Sequence, residues 1–160
     1  MPRVINIHKR TIPVSQDEIA ALLDTLSTEQ DLIWPHEKWP RMKFKEGLKL
    51  GARGGHGPIR YSVQKYIQGK FIEFEFLKPE GLNGYHRLEI MSLSPQATEI
   101  KHTIEINPSL GASLAWIVWI RYLHDALIED AFDKVENHFK TEEKKSNWNV
   151  WVKTLRWVLT

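Results

Sequence analysis

A chain of 160 residues has the length of one domain, and its 42% apolar and 26% charged residues suit a folded core with a polar surface. A net charge of +2 gives no argument for nucleic acid or for an acidic partner. Zero cysteines exclude disulfides and thiolate chemistry and fit a reducing cytoplasm. Met1 to His8 carries no signal-peptide core. The longest apolar run, Leu114 to Ile120, is broken by Arg121 well short of the ~20 residues that span a bilayer. The expectation is a cytoplasmic chain with no membrane span.

Residues 3 to 14 are β-rich and closed by Pro13. Ser15-Gln16-Asp17-Glu18 reads as a capping box. The helix it opens carries Ile19, Leu22, Leu23 and Leu26 at helical spacing. Ser27-Thr28-Glu29-Gln30 reads as a second capping box, opening a short helix that Pro35 ends. Trp34 to Pro40 is an aromatic, proline-stiffened connection, and short strands are expected over 41 to 45 and 48 to 54. Gly51, Gly54, Gly55 and Gly57 are followed by no Gly-Lys-Ser or Gly-Lys-Thr, so they predict a bend in a sheet and not a phosphate cradle.

From residue 58 the apolar period is two. Strands are predicted over 59 to 67, 70 to 77, 85 to 93 and 98 to 106, joined by turns at Gln68-Gly69, 79 to 84 and 94 to 97: a meander. Asn107-Pro108 predicts the start of a long helix, with Ser113 as the alternative start and an end near Phe139. Its apolar stripe takes in Ile117, Ile120, Leu127, Ile128, Ala131, Val135 and Phe139. Thr141 to Asn147 is a charged linker. Trp148, Trp151, Leu155 and Val158 then share one stripe of a final short helix, with Lys144, Lys145, Lys153 and Arg156 supplying positive charge. That helix is too short to stand alone in water. Its destinations are the rest of the fold, a homodimer partner or an anionic membrane surface.

A sheet curved around a helix encloses a pocket, and pockets bind small molecules. Strand alternation turns His86 and His102 toward the apolar side of the sheet, and the helical stripe leans His124 toward the same interior. Tyr61 offers a hydroxyl beside Val63, and His56 lies among glycines at the pocket mouth. Phe74, Leu88, Ile117 and Ile128 supply apolar lining. Two readings stand side by side: histidines bonded locally within a core, or imidazoles grouped as polar anchors in an apolar cavity. No His-x-x-x-His pair, nucleophile motif or dinucleotide loop is present, so no metal and no cofactor are expected. Arg121, Asp125, Glu129 and Asp130 read as a solvated face with a local charge network. The seven tryptophans seal the ends of the fold or line a ligand site.

This order of elements resembles the START-like superfamily, also called SRPBCC, with its polyketide cyclases and dehydrases, lipid-transfer proteins and plant allergens. Gly54-Gly55-His56-Gly57-Pro58-Ile59-Arg60-Tyr61, Gly84-Tyr85-His86 with Leu88-Glu89-Ile90, and Leu123 to Asp130 are similar to a bacterial branch of it. The resemblance implies an α+β helix-grip fold over residues 1–140. About seven antiparallel strands would wrap a long C-terminal helix, with two short helices after the first strand and the 141–160 tail docked on the domain or a partner. It implies binding of a small, largely apolar or amphipathic molecule. The alternatives are a cyclase or dehydratase using a cavity histidine as acid/base, or a protein-interaction module working through the C-terminal helix.

Overall fold

The computed structural model describes residues 3–159. Seven strands form one antiparallel sheet: β1 (Val4–Ile12), β2 (Lys43–Phe44), β3 (Arg53–His56), β4 (Ile59–Ile67), β5 (Phe71–Lys78), β6 (Leu82–Ser94) and β7 (Ala97–Pro108). Their spatial order is β1-β7-β6-β5-β4-β3-β2. The meander of β2 to β7 follows from the hairpin turns, and β1 closes onto the last strand, so the two edges are the first two strands in sequence. Helix α1 (Gln16–Leu23) buries Ile19, Leu22 and Leu23. At its start Glu18 reaches back to accept both the backbone N–H and the hydroxyl of Ser15.

The second short helix expected near Ser27 does not form. Ser27 has φ of 68°, outside the helical region. The buried carboxylate of Asp31 accepts instead from the amides of Ser27, Ile33 and Trp34, which winds residues 24–34 into turns. Those bonds place Trp34 and Trp39 in the main core. Gly54 answers a packing demand: a Cβ there would lie 2.3 Å from the Lys43 carbonyl and 2.7 Å from the Phe44 ring, so β2 crosses close over β3 only at a glycine.

The long helix has three parts. Ser109 caps α2 (Leu110–Ala115) by accepting from the Ala112 amide, two residues later than the Asn107 cap expected. A π-turn covers Trp116–Ile120, where the Arg121 amide bonds to the Trp116 carbonyl, and α3 (Arg121–His138) follows. The extra residue in that turn rotates everything before it by about one position relative to α3. Trp116 is therefore buried and Ile117 is 66% exposed. Ile117 does not line the interior, because the 3.6-residue period that put it there assumes an unbroken α-helix.

Phe74, Leu88, Ile104 and Ile128 are buried and Phe76 is half-buried. The last helix, α4 (Val150–Leu159), packs on the fold through Val152 and Leu155. The Trp151 indole donates to the Val118 carbonyl and Arg156 to the Lys38 carbonyl. Asp130, read as a surface residue, is 2% exposed. Its carboxylate accepts from Lys38 and from the indoles of Trp39 and Trp148, tying the 34–40 loop and the tail to α3. Among the described residues, no helix is long and apolar enough to cross a membrane.

Candidate functional site

Cross-strand register assembles the site. His86 on β6 lies opposite Phe74 on β5, and His102 on β7 lies opposite Leu88 on β6, so the two histidines are diagonal neighbours on the inner face. On the other side of β7, His102 lies opposite His8 of β1. One strand alternation thus turns His8 inward with Asn6 and Arg10, and it leaves Ile5 and Ile7 about half exposed on the outer face. His124 descends from α3 above this pair.

The result is a row of rings across the interior. Centroids lie 5.7 Å apart for His8–His124, 5.0 Å for His124–His102, 5.5 Å for His102–His86, 4.8 Å for His86–Tyr61 and 5.9 Å for Tyr61–His56. His56 ends the row against Trp34 at 4.7 Å. The His86 ring is stacked by both Phe74 and Phe76, at 4.8 and 5.0 Å. The structure therefore brings together Tyr61, His56, His86, His102 and His124, with Phe74 as wall. Leu88 and Ile128 sit in the adjoining apolar core. His8 was missed from the sequence, because nothing in one strand says which face the partner strand will select.

The two ends of the row differ electrostatically. Both ring nitrogens of His8 meet carboxylates, Nδ1 with Glu129 at 2.8 Å and Nε2 with Asp125 at 3.0 Å. Burial pulls the His8 pKa down, but hydrogen bonds and charge from Asp125 and Glu129 outweigh it, and the net shift is upward. Burial alone would raise Asp125, yet its bonds with His124 and His8 hold it far below the ordinary carboxylate range. Deeper in, burial drives His86 and His102 well below the ordinary imidazole value, and each is lowered further by its imidazole neighbours. His124 is lowered by burial, against the pull of Asp125. His56 is pushed down to about 4 by burial, with His124 and Arg60 adding to it. Burial raises Tyr61 well above its usual range. The interior favours neutral imidazoles, and the edge favours the charged one.

Tautomer counting then shows what the interior lacks. His86 Nδ1 and His102 Nε2 are 3.3 Å apart and share one hydrogen bond. A neutral imidazole has one N–H and one lone pair. Whichever ring donates, the pair retains one unused donor and one unused acceptor, at His86 Nε2 and His102 Nδ1. Both atoms are buried without a protein partner, as are Tyr61 Oη and His124 Nε2. His124 Nδ1 faces the Asp125 carboxylate at 3.5 Å, which favours the tautomer with the proton on Nδ1 and a lone pair on Nε2.

His8, His124 and Asp125 bring ligand atoms within 4.8 Å of one another, a donor set suited to a divalent metal. In the arrangement seen, both His8 nitrogens donate to carboxylates, so His8 offers a metal no lone pair. Asp125 and Glu129 also border a surface groove of about 190 Å³ shared with Tyr122 and residues 146–149. They are the solvent-facing end of the histidine row.

No protein-family model matches the chain. No curated protein matches its sequence. Solved structures do. Norcoclaurine synthase from Thalictrum flavum, in complex with dopamine and hydroxybenzaldehyde, superposes with a TM-score of 0.64 over 88% of this chain and 90% of its own, at 11% identity. A START superfamily protein from Mycobacterium smegmatis matches with a TM-score of 0.54 over 84% of this chain and 95% of its own, at 11% identity. The fold is START-like. A protein from Thermobifida fusca extends the likeness, with a TM-score of 0.63 over 88% of this chain and 99% of that one at 10% identity. At these identities it is the START-like fold that is shared, with its seven strands wrapped on one long helix.

Proposed function

We propose that this chain binds a small, largely apolar molecule between the sheet and the long helix, with Tyr61, His86, His102 and His124 as its polar anchors. One observation carries the reading: the unpartnered polar atoms of these four side chains share one buried ring cluster. Leaving a buried donor or acceptor unsatisfied costs about 1–3 kcal/mol, so four cost about 4–12 kcal/mol, as much as a domain's whole stability. A fold does not carry that cost unrelieved. A ligand with an aromatic or alicyclic body and one or two hydroxyl or carbonyl groups relieves it, because the histidine pair presents one donor and one acceptor. Norcoclaurine synthase, which has the same fold, holds dopamine and hydroxybenzaldehyde. Small ring molecules of that kind fit the chemistry of this interior. The ligand takes space now filled by rings, so binding requires the aromatic cluster to part.

Native mass spectrometry of the chain purified from its own host tests this. The expected result is an added mass of a small organic molecule, lost in Tyr61→Phe and His86→Phe variants that keep the fold. A bare chain mass under conditions that retain a control ligand in a START-like protein would count against it.

A second reading is favoured by His124. A lone pair on Nε2, with the proton on Nδ1 facing an ionised Asp125, is the arrangement of a general base. A cyclase- or dehydratase-type step on the bound molecule would use it. Turnover that disappears in His124→Gln while ligand binding persists would separate this reading from simple binding.

A further inference from the structure

Three groups converge on one carboxylate oxygen at the solvent-facing end of the histidine row. Asp125 Oδ1 lies 3.0 Å from His8 Nε2, 3.5 Å from His124 Nδ1 and 3.0 Å from Asn6 Nδ2. Protons alone serve this arrangement poorly. His8 gives Asp125 a full hydrogen bond, but at 3.5 Å the one from His124 is at the limit of the interaction. Asn6 Oδ1 is buried with no partner among the described residues. Around a metal with bonds of about 2.0–2.2 Å, neighbouring ligand atoms stand about 2.8–3.6 Å apart. Those are the separations found here between the carboxylate oxygen and each imidazole nitrogen.

We propose that His8 Nε2, His124 Nδ1 and Asp125 Oδ1 bind a divalent first-row transition metal, with Asn6 as a fourth ligand. Two imidazoles and a carboxylate suit zinc, iron(II), cobalt(II) or nickel(II) and leave positions open for water. The metal takes the place of the His8 Nε2 proton, which frees the lone pair that His8 otherwise lacks. Half a turn of the Asn6 amide exchanges its nitrogen for its oxygen beside Asp125 Oδ1, a contact that two oxygens keep only across a shared cation. Glu129 holds the other His8 nitrogen at 2.8 Å, as the outer carboxylate of a metal-ligating histidine does. Arg121 reaches the other oxygen of Asp125 at 3.7 Å and leaves Oδ1 to the metal. Arg10 bonds to Asp133 and Glu136 as well as to Glu129, so it does not spend the charge of Asp125. The groove that Asp125 and Glu129 border gives the ion a way in. With the metal on Nδ1, His124 carries its proton on buried Nε2, so the site does not rest on the ligand reading.

Titration of the untagged full chain with cobalt(II) tests this. One ion per chain is expected, with visible absorption bands and release of about one proton per ion as His8 gives up its own. Zinc should displace the cobalt and raise the melting temperature until a chelator is added. Glu129→Gln keeps every ligand and should weaken binding roughly 10–100-fold. Asp125→Asn and His8→Gln should weaken it further still. His138→Gln removes an exposed imidazole and should bind as the parent does. If a ligand variant does not fold, the parent chain still decides: bound cobalt(II) should shift the ring protons of His8 and His124 far outside their usual NMR range and leave those of His138 in place. No saturable uptake, uptake without proton release, or shifts centred on His36 or His138 would each overturn the proposal.

Discussion

His86 and His102 illustrate how two residues of ordinary chemistry acquire unusual properties from position alone. Each lies on an inner strand position, each is less than 10% exposed, and each meets another imidazole where a carboxylate would otherwise hold a proton on it. Alternation along β6 and β7 made their inward direction legible from sequence. Their mutual hydrogen bond was not, because it depends on diagonal register between strands. The pH consequence has a definite sign. His86, His102 and His124 have lowered folded pKa values, so between those values and about 6.5 the unfolded chain binds more protons than the folded one. Stability therefore falls as pH drops below about 6.5, by up to about 4 kcal/mol per pH unit when all three rings charge only on unfolding. His8 acts oppositely: its raised pKa contributes stability that is present below about 6.5 and lost as pH rises through its folded value. Denaturant midpoints across pH should peak near neutrality, with a steep acid limb that shallows in His102→Phe. Ring resonances of His86 and His102 titrating near 6.5 in the folded protein would show the account of their burial to be wrong.

Among the elements, β1 and α3 are joined by a polar seam. Asn6, His8 and Arg10 face Asp125, Glu129, Asp133 and Glu136, with bonds of 3.0 Å from Asn6 to Asp125 and 2.6 Å from Arg10 to both Glu129 and Asp133. The spacing explains why it forms. Two strand residues advance about 6.8 Å and four helix residues about 6 Å, so every second side chain of β1 meets every fourth of α3. From sequence the acids of α3 looked like a solvated face, since a helix alone shows its charges but not the strand that will answer them. Arg10 is the strongest link, bonded also to Glu136 at 2.9 Å. Arg10→Met should cost about 3–5 kcal/mol, because it leaves Asp133 and Glu136 buried beside less positive charge. A thermal melt within a degree of the parent would mean the seam contributes nothing. The π-turn belongs to this scale too: local helix propensity runs unbroken through Trp116 to Ile120, and only the packing of Trp116 beside Ile104 and Ile106 reveals the extra residue.

At the scale of the whole molecule, the meander, the wrapped helix and the inward faces of β5 to β7 were readable because hairpin turns and period-two alternation are local signals. The π-turn and the inward turn of β1 were not, since each is decided by a partner distant in sequence, the sheet under Trp116 and His102; the second helix failed for a local reason, the Asp31 carboxylate taking the amides of Ser27, Ile33 and Trp34. The same division holds for the site. Tyr61, His86, His102 and His124 were nameable from strand and helix phase, whereas His8 and the role of Asp125 emerge only when β1 closes against β7 and α3. What unites the molecule is that its interior row of rings runs from a charged, solvent-facing end at Asp125 and Glu129 to a neutral one at buried Tyr61 and half-buried His56. A crystal structure of the chain purified from its own host, without refolding, tests that account most directly. The account predicts density for a small organic molecule within the ring cluster, with polar atoms about 3 Å from at least two of Tyr61 Oη, His86 Nε2, His102 Nδ1 and His124 Nε2. An interior holding only water, or one in which these four atoms are satisfied by protein groups, would contradict it.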